Sequence, residues 1–186
     1  TKDIDKAELW LLKSSEQNSA GADYSEYFLG KLYQYERNEI KEAIYWYEKS
    51  AKRGYMWAQS DLAEIYARGE ELDKDFVKAF DLYMKAANQG EVDSQASLGK
   101  IYLDGLGIEV DYKKAIYWLN KAIEQNDADS MYFMGLLYLN GSGVERSLDD
   151  TALLFDRALR NDGLDSMFRE SAEKRWKEHN LEQYLT

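Results

Sequence analysis

The side chains that most often do protein chemistry are scarce in this sequence, which has one histidine and no cysteine. A serine or cysteine nucleophile needs a base beside it, and a zinc site needs a cluster of histidine and cysteine ligands. The one histidine, His179, lies in a polar C-terminal stretch, where we expect a solvated surface residue. We therefore predict no catalytic residue, no metal site and no cofactor.

Two pairs of glycines, Gly105 with Gly107 and Gly141 with Gly143, resemble the start of a phosphate-binding loop. A dinucleotide loop requires a third glycine three residues after the second, and a nucleoside-triphosphate loop requires Gly-Lys-Ser/Thr. Neither continuation is present, and no strand pattern precedes the glycines. The sequence therefore predicts tight turns at both places.

An acidic stretch resembles half of a calcium-binding loop. Asp73 and Asp75 follow the Glu70-Glu71 pair with the alternation that such a loop uses. The acidic ligand required at the twelfth position would fall on Met84, which cannot serve. We therefore predict no calcium site here.

The charge balance excludes several classes of partner. Lys and Arg number 24 against 35 Asp and Glu, for a net charge of −11. Such a surface repels nucleic-acid phosphates and anionic lipids, so we predict no nucleic-acid partner and favour a protein with a basic or mixed basic and apolar surface. The longest uncharged stretch, 130–144, is shorter than the roughly 20 residues of a membrane-spanning helix. We therefore predict no transmembrane segment.

The chain begins at Thr1 instead of Met, so we expect a leader or a longer N-terminal part to have been removed. The compartment stays open between the bacterial periplasm or exterior and the cytoplasm. The oligomeric state also stays open at this stage.

A repeat of 36 residues organises the sequence. A small residue recurs at this interval in five copies: Ala7, Ala43, Ala79, Ala115 and Thr151. A large apolar residue follows three places later: Trp10, Trp46, Leu82, Trp118 and Leu154. This spacing places both rows on one face of a helix, which we name the B-type helix. We expect both rows to lie in the core.

A second helix, which we name A-type, precedes most B-type helices. Its marker is Leu or Met, then Gly or Ala, then Tyr three residues later: Leu29-Gly30…Tyr33, Leu62-Ala63…Tyr66, Leu98-Gly99…Tyr102 and Met134-Gly135…Tyr138. The small residue allows a neighbouring helix to approach closely. We expect turns at 69–72, 105–108 and 141–144 to join the A-type helix to its B-type helix.

The resulting map is a single domain over 1–186. A lone B-type helix occupies 3–17, and a polar C-terminal cap occupies 164–186, with its helix at 164–178. Helix pairs occupy the four segments between them: 23–53, 55–89, 91–125 and 127–162.

These residues resemble a known family. The segment Ala58-Gln59…Leu62-Ala63…Tyr66, the Gly-x-Gly turns and the stretches 75–90 and 111–126 are similar to the Sel-one-like repeat, a relative of the tetratricopeptide repeat. The resemblance implies an all-α fold: a right-handed α-solenoid of about four to five antiparallel helix pairs. It also implies an adaptor or scaffold, because relatives include scaffolds, envelope proteins and immunity proteins.

In solenoids of this family the A-type helices usually line the concave wall. By helical phase, residues two before and one after the small marker face away from the core. With one added neighbour, the predicted partner-binding residues are Phe28, Lys31, Asp61, Glu64, Ser97, Lys100, Tyr132, Phe133 and Leu136. We expect Asp61 and Glu64 to meet basic groups. Phe133 and Leu136 either form an open apolar anchor or lie beneath the C-terminal helix.

Three functions remain in competition. The first is a non-catalytic module that binds a protein partner on the concave A-type surface. The second is an immunity protein that neutralises a secreted toxin, which acidic charge and small size favour. The third and most remote is a hydrolase built on a carboxylate pair, which no spacing in the sequence supports.

Overall fold

The computed structural model describes residues 2–16, 21–69 and 73–185, and within these ranges it contains helices and no strand. The prediction of an all-α fold is confirmed. The chain forms two compact units, Thr1–Glu91 and Val92–Thr186. A single solenoid domain over the whole chain stays a prediction.

Unit 1 contains B-type and A-type helices in alternation. They are α1 (Lys2–Glu16), α2 (Ala22–Lys31), a π-helix (Leu32–Arg37), α3 (Ile40–Lys52), α4 (Met56–Arg68) and α5 (Phe76–Asn88). Each helix packs against the next one in the chain. The A-type helices here are α2 and α4.

Unit 2 continues the alternation with A-type α6 and α8. Its helices are α6 (Val92–Asp104), α7 (Tyr112–Glu124), α8 (Ala128–Asn140), α9 (Leu148–Leu159), α10 (Ser166–Glu178) and a short 3₁₀-helix (Leu181–Tyr184). Successive helices again pack on each other.

Side-chain caps fix where several helices begin. The side chains of Asp75 and Asp111 accept hydrogen bonds from the backbone amides of Lys78 and Lys114, which would otherwise lack partners at a helix start. These bonds lower the pKa of both aspartates. Asp127 and Ser147 cap α8 and α9 in the same way. Asp75 and Asp111 therefore fix the starts of α5 and α7.

The glycine markers of the A-type helices α2, α6 and α8 each lie against a buried residue of the following B-type helix. A Cβ added to Gly30 would lie 2.5 Å from the Tyr47 ring, and one added to Gly99 would lie 2.6 Å from Leu119. Gly135 stands in the same relation to Phe155, at 2.5 Å. Glycine is therefore required at this position because the A-type and B-type helices approach each other closely there, as the sequence predicts.

The core row of the B-type helices differs from the predicted one by one residue. The buried residues are those four places after the small residue of the repeat: Tyr47, Tyr83, Leu119 and Phe155. In the predicted row three places after it, Trp118 is buried, whereas Trp46, Leu82 and Leu154 are half-buried. The A-type helix contacts the face that carries the later row, so it covers the predicted row only in part.

Trp10, predicted to be a core residue, is 70% exposed. Ala7, the small residue of the same helix, is exposed as well. At the corresponding positions of later repeats, Ala43 is fully buried and Trp118 is only 6% exposed. The prediction of a buried Trp10 is therefore wrong.

The connection in the first helix pair has its own form. The A-type helix α2 continues into the π-helix, which ends at Asn38 with a left-handed φ of 57°. The two pairs of unit 2 have turns at the predicted places, 105–108 and 141–144, and at the first of them the amide of Asp111 donates to the carbonyl oxygen of Tyr102 at 3.0 Å. In the turn predicted at 69–72, residues 70–72 lie outside the described part of the chain, as does most of the acidic stretch 70–73.

The C-terminal helix α10 has a buried face as well as the predicted polar one. Ala172 and Leu181 have no exposed surface, and they join the cluster around Phe155. Phe168 and Trp176 pack against the same cluster. The segment is therefore a packed part of the unit 2 core with a polar outer side.

Candidate protein-binding surface

The A-type helices of unit 1 meet through an ion pair and a set of aromatic rings. The ammonium of Lys31 on α2 lies 3.5 Å from the carboxylate of Asp61 on α4. The same ammonium lies 5.9 Å from the centroid of the Tyr27 ring on α2. These contacts place α2 and α4 side by side, with one charged pair between them.

The rings around this pair touch one another in series. Tyr24 lies 4.4 Å from Phe28 and 6.2 Å from Tyr55 between ring centroids, and Tyr55 lies 5.4 Å from Trp57. Tyr27 lies 5.1 Å from Tyr55. We name this surface the A-face of unit 1 and define it by eight residues: Tyr24, Tyr27, Phe28, Lys31, Tyr55, Trp57, Asp61 and Glu64.

Two rings of the A-face remain open to solvent. Tyr24 is 51% exposed and Trp57 is 46% exposed. Beside them Tyr35, which is 64% exposed, lies 4.7 Å from the ammonium of Lys31. Exposed Tyr and Trp rings next to a cation are a composition typical of protein interfaces.

The carboxylate of Asp61 interacts with other residues of unit 1. Burial raises the pKa of Asp61, and the adjacent Lys31 opposes that rise. Burial and the nearby Asp61 together raise the pKa of Tyr27 and of Tyr47. Asp61 therefore has partners within unit 1, whereas Glu64 is exposed and pairs with its helix neighbour Arg68 at 2.6 Å.

In unit 2 the predicted residues lie on α6 and α8, and Lys100 and Phe133 contact Phe168 of α10. Lys100 is exposed, with its ammonium 5.7 Å from the rings of Phe133 and of Phe168. Phe133 is half-buried, at 4.9 Å from Phe168 between centroids. The other two predicted residues of this group, Ser97 and Leu136, are also half-buried.

Tyr132 is only 4% exposed, so its assignment to an open patch is wrong. Its ring stacks between Phe155 and Phe168, at 5.7 and 5.1 Å, and its hydroxyl donates to Ser171 at 2.8 Å. The sequence left open whether this region is exposed or covered by the C-terminal helix. That helix covers Tyr132 completely and Phe133 in part. The remaining predicted residues lie at the surface of their own units.

A groove runs between α1 and α2 at one end of unit 1. It has a volume of about 500 Å³ and a mostly apolar lining. α1 contributes Ile4, Ala7 and Leu11, and α2 with the π-helix contributes Phe28 and Leu32. Phe28 thus borders both the groove and the A-face.

Sequence reasoning missed Tyr24, Tyr27, Tyr55 and Trp57. A signal was available, because Tyr24 and Trp57 stand six residues before the small marker of their helices, where α6 and α8 carry Asp93 and Asp129. An aromatic residue replaces an acid at this position in both A-type helices of unit 1.

Among residues 2–16, 21–69 and 73–185, the structure contains no group of three or more His, Asp or Glu side chains arranged to hold a metal ion. Within the same ranges no helix is long and apolar enough to cross a membrane.

Comparison with known proteins identifies the repeat. The model of the Sel1 repeat matches residues 1–19, 23–55, 58–91, 92–127 and 128–162. No curated protein matches the chain.

Solved structures show the same fold. A protective antigen of uropathogenic Escherichia coli, described as displaying an SLR fold, is 25% identical with a TM-score of 0.79, and the match covers 92% of this chain and 36% of the antigen. This chain therefore spans about a third of that protein's length. A Sel1 repeat protein from Oxalobacter formigenes is 22% identical with a TM-score of 0.76, covering 96% of this chain and 80% of that one. By the repeats along its length and by its fold, the chain belongs to the Sel1 repeat family.

Proposed function

We propose that this chain is a non-catalytic interaction module that holds a protein partner on the A-face of unit 1. Sel1 repeats are generally protein-interaction modules, and their scaffold is typically non-catalytic. The family membership supports the class of function, and the A-face supplies the surface.

The observation that carries the proposal is the exposure of Tyr24 and Trp57 at the ends of a connected set of rings. Interface energy concentrates in a few Tyr, Trp and Arg side chains that bury large areas with little loss of side-chain freedom. The rings beneath Tyr24 and Trp57 hold them in place through contacts at 4.4 and 5.4 Å. The two rings are therefore positioned before a partner arrives, which lowers the entropic cost of binding.

The partner chemistry follows from the charges around these rings. Asp61 is paired with Lys31, so it contributes to the shape of the A-face more than to attraction of a cation. Glu64 is exposed, and its ion pair with Arg68 is of the exposed helical kind that contributes little to stability. A basic side chain of the partner can replace Arg68 there. We expect a partner segment with an apolar anchor for Tyr24 and Trp57 and a basic group beside it.

The test compares two pairs of equally exposed aromatic residues. The Tyr24→Ala/Trp57→Ala variant removes rings of the A-face, and Tyr45→Ala/Tyr117→Ala removes rings that are 55% and 54% exposed on B-type helices. Quantitative affinity capture from the source cell identifies the partner, and calorimetry with the purified partner measures its affinity. We expect the first variant to bind at least about tenfold more weakly and the second to bind as the unmodified chain does.

Helix content by circular dichroism must stay unchanged in both variants. Equal affinity of the Tyr24→Ala/Trp57→Ala variant and the unmodified chain would refute the proposal. An equal loss in the two variants would also refute it, because binding would then not distinguish the A-face from the B-type helices.

A further inference from the structure

Four ionisable side chains of unit 1 line a small cavity where α2 meets the end of α3. The cavity has a volume of about 410 Å³. Lys49, Lys52 and Arg53 contribute three positive charges from the last turn of α3 and its C-cap, and Glu26 of α2 contributes one negative charge. The cavity is therefore positively charged, although the chain as a whole carries a net charge of −11.

The cations of this cavity keep hydrogen-bond donors in reserve. Arg53 donates through Nε to Oε2 of Glu26 at 2.9 Å, and its two terminal nitrogens have no partner among the described residues. Lys52 is exposed and forms no ion pair within the same part of the chain. A guanidinium held by one edge presents its remaining N–H groups in a fixed geometry that suits the oxygens of an anion.

The carboxylate of the cavity lacks a hydrogen-bond donor. Glu26 has no exposed surface, and its Oε1 accepts no hydrogen bond from the described residues. The ammonium of Lys49 lies 3.5 Å from this oxygen, which is an ion-pair contact without a hydrogen bond. A buried acceptor without a donor costs stability, so a ligand that donates to Oε1 would remove that cost.

The connection between the two helices does not itself require these charges. In the next two repeats neutral glutamine pairs make it: Gln89 with Gln59, and Gln125 with Gln95, each at 2.8 Å. Asn88 and Glu124 stand at the repeat position of Lys52. Because a buried ion pair pays a desolvation cost that an amide pair avoids, the charged version in the first helix pair calls for a role besides packing.

We propose that this cavity binds a phosphate group that retains one proton, as inorganic phosphate or as a small phosphate monoester. The terminal nitrogens of Arg53 and the ammonium of Lys52 bind the charged oxygens, and the P–OH group donates to Oε1 of Glu26. The ammonium of Lys49 turns from Oε1 to a phosphate oxygen. The inference uses no residue of the A-face and does not depend on the proposed function.

Sulfate is the discriminating competitor, because it has nearly the same size and shape but no proton at neutral pH. It can bind the cations of the cavity but cannot donate to Glu26, so the carboxylate repels it. A site that requires a donated hydrogen bond rejects an analogue that lacks the donor. The cavity should therefore distinguish the two anions, which a general attraction of charge would not do.

The experiment is an NMR titration of the full, ¹⁵N-labelled chain at constant ionic strength. The probes are inorganic phosphate, glycerol 3-phosphate and sulfate at about pH 6, where a phosphate monoester is about half protonated. The signals are the side-chain Nε–H of Arg53 and the backbone amides of residues 49–54. We expect saturable shifts with both phosphate probes and at least about tenfold weaker binding of sulfate. The tighter of the two phosphate probes identifies the free ion or the monoester as the source.

Two variants remove the site while keeping the helix connection. Glu26→Gln/Arg53→Gln recreates the glutamine pair of the next repeats, and Lys52→Gln changes an exposed residue. We expect the first to bind phosphate at least about tenfold more weakly and the second to bind it several-fold more weakly. The control is Lys41→Gln, an exposed lysine at the start of α3, which should bind as the unmodified chain does.

The Glu26→Gln variant tests the role of the carboxylate directly. Its amide can donate to an oxygen of either anion and repels neither, so we expect it to bind sulfate and phosphate about equally. Circular dichroism and urea unfolding confirm that each variant is folded.

Three results would overturn the inference. One is no saturable shift with either phosphate probe up to tens of millimolar. Another is sulfate binding to the unmodified chain as tightly as phosphate, because the cavity would then respond to charge alone. The third is unchanged phosphate binding by both Glu26→Gln/Arg53→Gln and Lys52→Gln, which would place the bound anion elsewhere.

Discussion

The guanidinium Nε of Arg53 lies 2.9 Å from Oε2 of Glu26, a carboxylate whose side chain has no exposed surface. The corresponding positions in the next two repeats hold glutamine pairs, Gln89 with Gln59 and Gln125 with Gln95, each at 2.8 Å. In each repeat this contact ties the start of an A-type helix to the end of its B-type helix. The ion pair in the first repeat and the amide pairs in the next two therefore make the same connection between the A-type and B-type helices.

Removing one partner of the ion pair should destabilise the protein more than replacing both. We expect Arg53→Ala to lower the free energy of unfolding by about 2 kcal/mol, because it leaves the buried carboxylate of Glu26 with Lys49, at 3.5 Å, and without its closer partner at 2.9 Å. The Glu26→Gln/Arg53→Gln double variant should recover most of this loss, because it recreates the pair of the next repeats. Urea unfolding measures both, and a double variant as unstable as Arg53→Ala would show that the pairs are not equivalent.

The contact of Gly30 with Tyr47 should tolerate no added methyl group. A Cβ at Gly30 would lie 2.5 Å from the Tyr47 ring, so we expect Gly30→Ala to cost about 2 kcal/mol despite the better helix propensity of alanine. The control is Ala63→Gly at the same repeat position, which should cost about 1 to 2 kcal/mol through the lower helix propensity of glycine and the loss of a buried methyl group, with no steric clash. In a double-mutant cycle with Tyr47→Ala, the two changes should couple, and simple additivity would contradict this explanation.

The half-buried carboxyl of Asp61 should make the stability of the protein depend on pH. Its pKa is raised in the folded protein by burial, so between the ordinary value of about 3.9 and the raised value the folded state binds a proton that the unfolded state does not. Relative to Asp61→Asn, the unmodified chain should therefore gain stability as the pH falls from about 7 to about 4. Urea unfolding at both pH values measures the difference, and a difference that is constant or moves the other way would contradict the direction of the shift.

Phe168 should hold α10 on unit 2. Its ring lies 5.1 Å from Tyr132 and 4.9 Å from Phe133, so we expect Phe168→Ala to destabilise the protein by about 2 kcal/mol, less than for a fully buried ring. Hydrogen exchange should accelerate in α10 more than in α6 and α7. The neighbouring Met167, 64% exposed, is the control, and Met167→Ala should change stability by less than about 0.5 kcal/mol. Equal effects of the two substitutions would mean that α10 does not depend on this contact.

The 36-residue spacing was sufficient to predict the helices and the close approach of two helices at Gly99. Both follow from the periodicity of the sequence alone. It placed the core row at Trp46 although Tyr47 is the fully buried residue, since neighbouring positions on a helix differ by only about 100° and several rows are apolar. The sequence pattern could not distinguish the exposed Trp10 from the buried Trp118, because the burial of each depends on the helix that covers it.

The candidate surface was only partly predictable for a related reason. Helical phase brought Phe28, Lys31 and Asp61 to the surface, where the structure places them. It could not reveal that Lys31 and Asp61 pair with each other, since the contact joins two helices. The burial of Tyr132 likewise depends on α10, a helix about 36 residues further along the chain. The mostly polar composition of α10 gave no indication of its buried face.

The most direct test of the central claim is site-specific photo-crosslinking in the source cell. A photoreactive phenylalanine analogue replaces Trp57 on the A-face in one variant and Tyr45 on the B-type helix α3 in the other. These positions are 46% and 55% exposed, so their reach into solvent is comparable. We predict one predominant protein adduct from position 57, with a much lower yield of that adduct from position 45. The same adduct at equal yield from both positions, or from position 45 alone, would contradict the assignment of the partner to the A-face.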